Sequence, residues 1–110
     1  MNYEIRDEGG VAVVALKGDV DLDSSPKVRS ALLDCVGMKR GVLVDLAGVS
    51  YIDSSGVASL VEAYQTARKS NTTFALVEVS ESAMRVLELA RLDKVFTIHG
   101  TLADGLENAG

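Results

Sequence analysis

Four consecutive residues, Asp53-Ser54-Ser55-Gly56, carry most of the chemical interest of this chain. They set a carboxylate and two hydroxyls directly before an apolar pattern of helical spacing: Val57, Leu60, Val61, Tyr64 and Ala67. Short polar side chains at a helix start accept hydrogen bonds from backbone N–H groups that lack a partner inside the helix. The same N–H groups and the helix dipole favour an anion, so a phosphate on a serine here is held by the positive helix end. Two readings stand side by side: a helix cap with a spare hydroxyl, and a serine presented for modification. A phosphate adds about −1.5 to −2 charges, repelled by nearby carboxylates such as Asp53 and Asp21, so its effect is a local change of surface charge.

Asp19-Val20-Asp21-Leu22-Asp23 places three carboxylates at alternate positions. A calcium loop begins in this way, but the glycine and distal glutamate it requires are missing, and a solvated acidic loop is expected. Hydrolysis by a Ser/His/Asp group would require His99, the only histidine, to reach Ser54 or Ser55 from a terminal strand segment. Phosphate-binding and dinucleotide-binding glycine patterns and the Gly-x-Ser-x-Gly elbow are absent. With one histidine and one cysteine, the sequence offers no zinc or haem ligand cluster. Cys35 falls on an apolar helical stripe and reads as a small core residue. No catalytic residue, metal or cofactor is expected.

The 110 residues suit one domain, spanning 1–110, with its own core. Apolar residues at 47% and charged residues at 25% match a soluble globular chain. Net charge is −5, and no Lys/Arg cluster is present to neutralise phosphates. Direct nucleic-acid and anionic-membrane partners are therefore not expected. Met1-Asn2-Tyr3-Glu4 lacks the pattern of a signal peptide, and no apolar run is long enough to span a bilayer. These features point to a cytoplasmic protein.

The elements that must position the two acidic segments follow from periodicity. Tyr3 to Arg6 and Val11 to Leu16 read as strands joined across Gly9-Gly10, with Gly18 stopping the second. Ser24-Ser25-Pro26 opens a helix whose stripe is Val28, Ala31, Leu32 and Cys35, ended by Gly37. Val42 to Leu46 is a buried strand, followed by a loop from Ala47 to Tyr51 and the second helix. Arg68 and Lys69 suit its negative end, and Ser70-Asn71 is a stop that tolerates the left-handed conformation. Thr73 to Val77 is a strand, Ser80 caps a third helix with Ala83, Leu87 and Ala90 on one face, Val95 to Ile98 is a strand, and Thr101 to Leu106 a final helix. The alternation implies an α/β fold with a largely parallel sheet and an antiparallel opening edge. Loops at the carboxyl ends of parallel strands share one edge of the sheet, which makes neighbours of the two acidic segments.

Taken together, Gly18-Asp19-Val20-Asp21 with Ser24 and Pro26, Val44-Asp45-Leu46, Val49 through Val57, and Ala83 through Leu92 resemble the STAS domains of the anti-sigma factor antagonist family. The similarity covers nearly the whole chain. It implies a four- to five-stranded mixed sheet with helices packed mainly on one face, and a partner-switching protein without catalysis of its own. By that resemblance Ser54 is the residue phosphorylated by an anti-sigma factor kinase. The unphosphorylated form binds the anti-sigma factor, the phosphorylated form is released, and a phosphatase resets the cycle; ATP and Mg²⁺ belong to the kinase. Asp21, Asp23, Asp53, Ser54, Ser55, Gly56 and Val57 are the expected partner-binding residues. Ala58 stands where the family often has a second glycine. An alternative within the same fold is a cytoplasmic STAS subunit of a membrane lipid-transport ATPase assembly.

Overall fold

The structure, a computed structural model, describes residues 1–109. Its elements are β1 (Asn2–Glu8), β2 (Val11–Val20), α1 (Ser25–Gly37), β3 (Val42–Ile52), α2 (Ser54–Lys69), β4 (Phe74–Val77), α3 (Glu81–Leu89), a 3-10 turn (Leu92–Lys94), β5 (Thr97–His99) and α4 (Leu102–Ala109). The strands form one sheet in the order β1-β2-β3-β4-β5. β1 pairs antiparallel with β2, and the remaining neighbours are parallel. The expected α/β class and antiparallel edge are present, and of the four to five strands expected in a mixed sheet there are five.

Side chains alternate across each strand. On β2, Ala12, Val14 and Leu16 join a large core against Val28, Leu32 and Cys35 of α1, Leu60 and Ala63 of α2, and Ala83 and Leu87 of α3. Val11 and Val13 face the other way, into a smaller cluster with Leu43, Ala75 and Val77 under Leu102 and Leu106 of α4. Three helices thus cover one face and α4 covers the other. The final helix runs past its expected end at Leu106, because residues as far as Ala109 pack on this second cluster.

Two expected strand ends were too early. Gly18 does not stop β2, which continues to Val20. Gly18 instead adopts φ +90°, and the pairing register shifts beside it, a kink that lets the strand bend and continue. The segment expected as a loop, Ala47 to Tyr51, belongs to β3. It pairs Lys17 with Gly48, Gly18 with Val49, Asp19 with Tyr51 and Val20 with Ile52. Each segment looks irregular alone, and each supplies the hydrogen-bond partner of the other. In α3, Ala83 and Leu87 are buried as expected, but Ala90 is the exposed cap residue where the helix ends.

Candidate functional site

β3 ends at Ile52 and α2 begins at Ser54, so Asp53 is the single residue that turns the chain. Its backbone is extended, at φ −107° and ψ −174°, as an N-cap requires. The Asp53 carboxylate accepts hydrogen bonds from Ser55 N–H (2.9 Å), Gly56 N–H (3.1 Å) and the Ser55 hydroxyl (2.6 Å). These bonds favour the charged form and hold the carboxyl below its ordinary range, led by the Ser55 hydroxyl and then the Gly56 N–H. Leu22 N–H adds a smaller pull from the neighbouring loop. The cap is therefore Asp53, which Ser55 supports as a donor, and the Ser54 hydroxyl is not needed for it.

The two serines differ. Ser55 is half-buried and its hydroxyl is committed to Asp53, whereas Ser54 is the exposed first residue of the helix. Gly56 and Val57, expected to touch a partner, lie in the interior. Val57 is in the main core, and a Cβ on Gly56 would lie 2.7 Å from the Val20 carbonyl oxygen. Their side of the helix packs on β2, so they shape the junction from below.

The acidic segment stands beside it. Asp53 N–H donates to the Val20 carbonyl at 3.1 Å, which fixes the end of β3 to the end of β2. Past Val20 the chain turns tightly: Ser24 N–H donates to the Asp21 carboxylate at 3.2 Å, and Asp21 N–H to the Ser24 hydroxyl at 2.9 Å. The Ser24 hydroxyl is thereby occupied within the turn and makes no capping bond to α1, contrary to the simple N-cap reading. Asp19, Asp21 and Asp23 line an open cavity of about 350 Å³ with Ser24, Lys27 and Met1. Leu22 is 72% exposed at the tip of the turn, and Tyr51 on β3 is 52% exposed. These two apolar side chains gave no functional signal in the sequence, since only the fold shows that no core covers them.

A further tie escaped sequence reasoning. Ser59 is buried, and its hydroxyl lies 3.2 Å from the Ser25 carbonyl and 3.1 Å from the Ser55 carbonyl. This locks the first turn of α2 to the start of α1. Arg29 of α1 forms an ion pair with Glu62 of α2 farther along the same groove. His99 sits on β5, two strands across the sheet from β3. Among the described residues no group of three or more His, Cys, Asp or Glu side chains is placed to hold a metal ion. No helix among them is long and apolar enough to cross a membrane.

The five-stranded mixed sheet, with an exposed serine at a capped helix start beside an acidic turn, has the architecture of a STAS domain. The STAS domain family matches residues 2–105, and the chain belongs to that family. The anti-sigma-F factor antagonist RsfB of Mycobacterium tuberculosis is 30% identical over 103 residues, covering 93% of this chain and 84% of that protein. A crystal structure of an anti-sigma factor antagonist from Mycobacterium paratuberculosis superposes with a TM-score of 0.90 at 28% identity, covering 98% of this chain and 92% of that one. The Bacillus cell fate determinant SpoIIAA, in its phosphorylated form, shares the fold with a TM-score of 0.77 at 14% identity, covering 99% and 100%.

Proposed function

We propose that this protein, acting as a single STAS domain over residues 1–110, is an anti-sigma factor antagonist switched by phosphorylation of Ser54. Unphosphorylated, it binds an anti-sigma factor that is also its serine kinase; phosphorylated, it is released, and a phosphatase restores it. The observation that carries the reading is the difference between the two serines. Ser54 is exposed at the first position of α2, while the Ser55 hydroxyl is held by Asp53 at 2.6 Å. The anti-sigma factor antagonists among its relatives support the role.

The electrostatics suit a reversible switch. The cap bonds of Asp53 are made to Ser55 and Gly56, so a phosphate on Ser54 needs none of them broken. The helix dipole favours the phosphate, and Asp53 with the Asp19–Asp23 turn opposes it. What changes is the charge beside Leu22 and Tyr51, the exposed apolar surface available to a partner. The working partner surface is then Asp21, Asp23, Asp53, Ser54 and Ser55 together with Leu22 and Tyr51, with Gly56 and Val57 supporting it from inside.

The test uses the anti-sigma factor that co-purifies with the protein. With ATP it should phosphorylate Ser54, and Ser54→Ala should abolish labelling. Ser54→Asp should weaken binding of that factor by about 1–3 kcal/mol through charge repulsion and desolvation, read by calorimetry. Phosphopeptides that map only to other residues, or equal affinity for both forms, would defeat the proposal.

A further inference from the structure

β1 is the outermost strand of the sheet, and every residue from Asn2 to Glu8 except Arg6 is exposed. Nothing in the switch uses it. We propose that its free edge pairs with β1 of a second copy of this chain, antiparallel and centred on Ile5, joining two sheets across a two-fold axis.

The direction of the free backbone groups follows from the hairpin. Glu8 and Val11 close a two-residue turn in which Gly9 and Gly10 both have positive φ, +63° and +89°. Such a turn is of the type I′ kind, and its closing pair exchanges backbone hydrogen bonds. By alternation, Asn2, Glu4 and Arg6 also turn their N–H and C=O groups toward β2. Tyr3, Ile5 and Asp7 turn theirs outward, where no strand meets them. Tyr3 and Ile5 are also 40% and 46% exposed, on the face they share with Leu16 and Val14. An uncovered edge carrying apolar side chains is a template for another strand.

The charge pattern says which strand. In the register centred on Ile5, Ile5 meets Ile5 and Tyr3 meets Asp7, at the positions that exchange backbone bonds. Glu4 then meets Arg6 at the non-hydrogen-bonded positions, where opposed side chains are closest, and symmetry makes this pair twice. Centring on Tyr3 sets Glu4 against the uncharged Asn2, and centring on Asp7, though it opposes Arg6 and Glu8, sets two aspartates face to face at a position that exchanges backbone bonds. Within its own strand Arg6 lies 3.9 Å from Glu4 and 3.6 Å from Glu8, open contacts that leave it free to bond across. Asp7 is drawn aside by Arg40 at 3.4 Å and by Gly10 N–H at 2.9 Å. The interface is small and each copy carries a charge of −5, so association is weak and strengthens with salt. It leaves the carboxyl end of β3 uncovered, so each dimer presents Ser54 twice.

Sedimentation velocity of the full chain from about 10 μM to about 1 mM, the range for a small transient interface, should show a reversible monomer–dimer equilibrium. Glu4→Arg and Arg6→Glu each set like charges opposite one another twice, and each should raise the dimer dissociation constant by at least about tenfold. The two variants mixed in equal amounts restore both opposite-charge pairs, so the mixture should dimerise as the unaltered protein does. Circular dichroism checks that each variant keeps the fold. Monomer throughout the concentration range, a dimer indifferent to either substitution, or a mixture that stays monomeric would each overturn the proposal.

Discussion

Gly56→Ala isolates the close approach that positions the start of α2 against the end of β2. At an open helix position the change from glycine to alanine stabilises by about 1 kcal/mol. Here the added Cβ would lie 2.7 Å from the Val20 carbonyl oxygen and 2.8 Å from both Ile52 Cγ1 and Val20 Cγ1. The carbonyl already accepts the Asp53 N–H at 3.1 Å, so it cannot move without loosening the bond that joins the two strand ends. Overpacking of this kind costs about 1–3 kcal/mol, and a backbone obstacle places it at the upper end. Subtracting the helix gain leaves a net loss of about 2 kcal/mol. Urea denaturation followed by circular dichroism should show the midpoint falling by about 1 M, with the slope unchanged. The control is Ala58→Gly, two residues along on the exposed side of α2. It should cost about 1 kcal/mol through helix propensity alone. A Gly56→Ala midpoint equal to or above that of the unaltered protein would refute the packing argument.

Three further outcomes follow. Asp53 has a lowered carboxyl pKa in the folded state, so its stabilising effect is complete above the unfolded value of about 3.9 and is lost as pH falls through the folded one. Asp53→Asn should therefore destabilise most near neutrality and converge with the unaltered protein in acid; a constant difference down to about pH 2 would contradict the assignment. Burial pushes the Cys35 thiol up, against a smaller opposite pull from Arg40, and its side chain lies in the main core. A thiol reagent at neutral pH should label it more than about a hundredfold slower than the urea-unfolded chain, and comparable rates would show the site is open. Leu87 is fully buried while Leu89, two residues on, is 81% exposed. Leu87→Ala should cost about 3 kcal/mol and Leu89→Ala less than about 0.5 kcal/mol in the same denaturation assay; similar losses would place α3 wrongly.

The local signals in the chain were those whose physics is local. Ser80 caps α3 by accepting the Ala83 N–H at 3.2 Å, and Asn71 takes φ +59° just beyond α2, both as their side chains suggest. The stripe Val28, Ala31, Leu32 and Cys35 is buried throughout. The Asp-Ser-Ser-Gly junction was legible for the same reason, because capping acts over three or four residues.

Tertiary structure decided what depends on distant partners. β2 and β3 run on through Gly18 and Ala47–Tyr51 because each meets the other's unpaired backbone groups, and no local propensity records that meeting. The contrast in environment between Ser54 and Ser55 is of this kind. The resemblance alone pointed to Ser54; what the structure adds is their different surroundings, with the Ser55 hydroxyl bonded to Asp53 and Ser54 exposed. The sequence by itself determined that an acid, two hydroxyls and a glycine stand at a strand-to-helix turn. The packing of α2 on Val20, closest at Gly56, and the bond from Asp53 N–H to the Val20 carbonyl decided how that turn sits on the sheet, with Ser54 facing solvent and the Ser55 hydroxyl on Asp53.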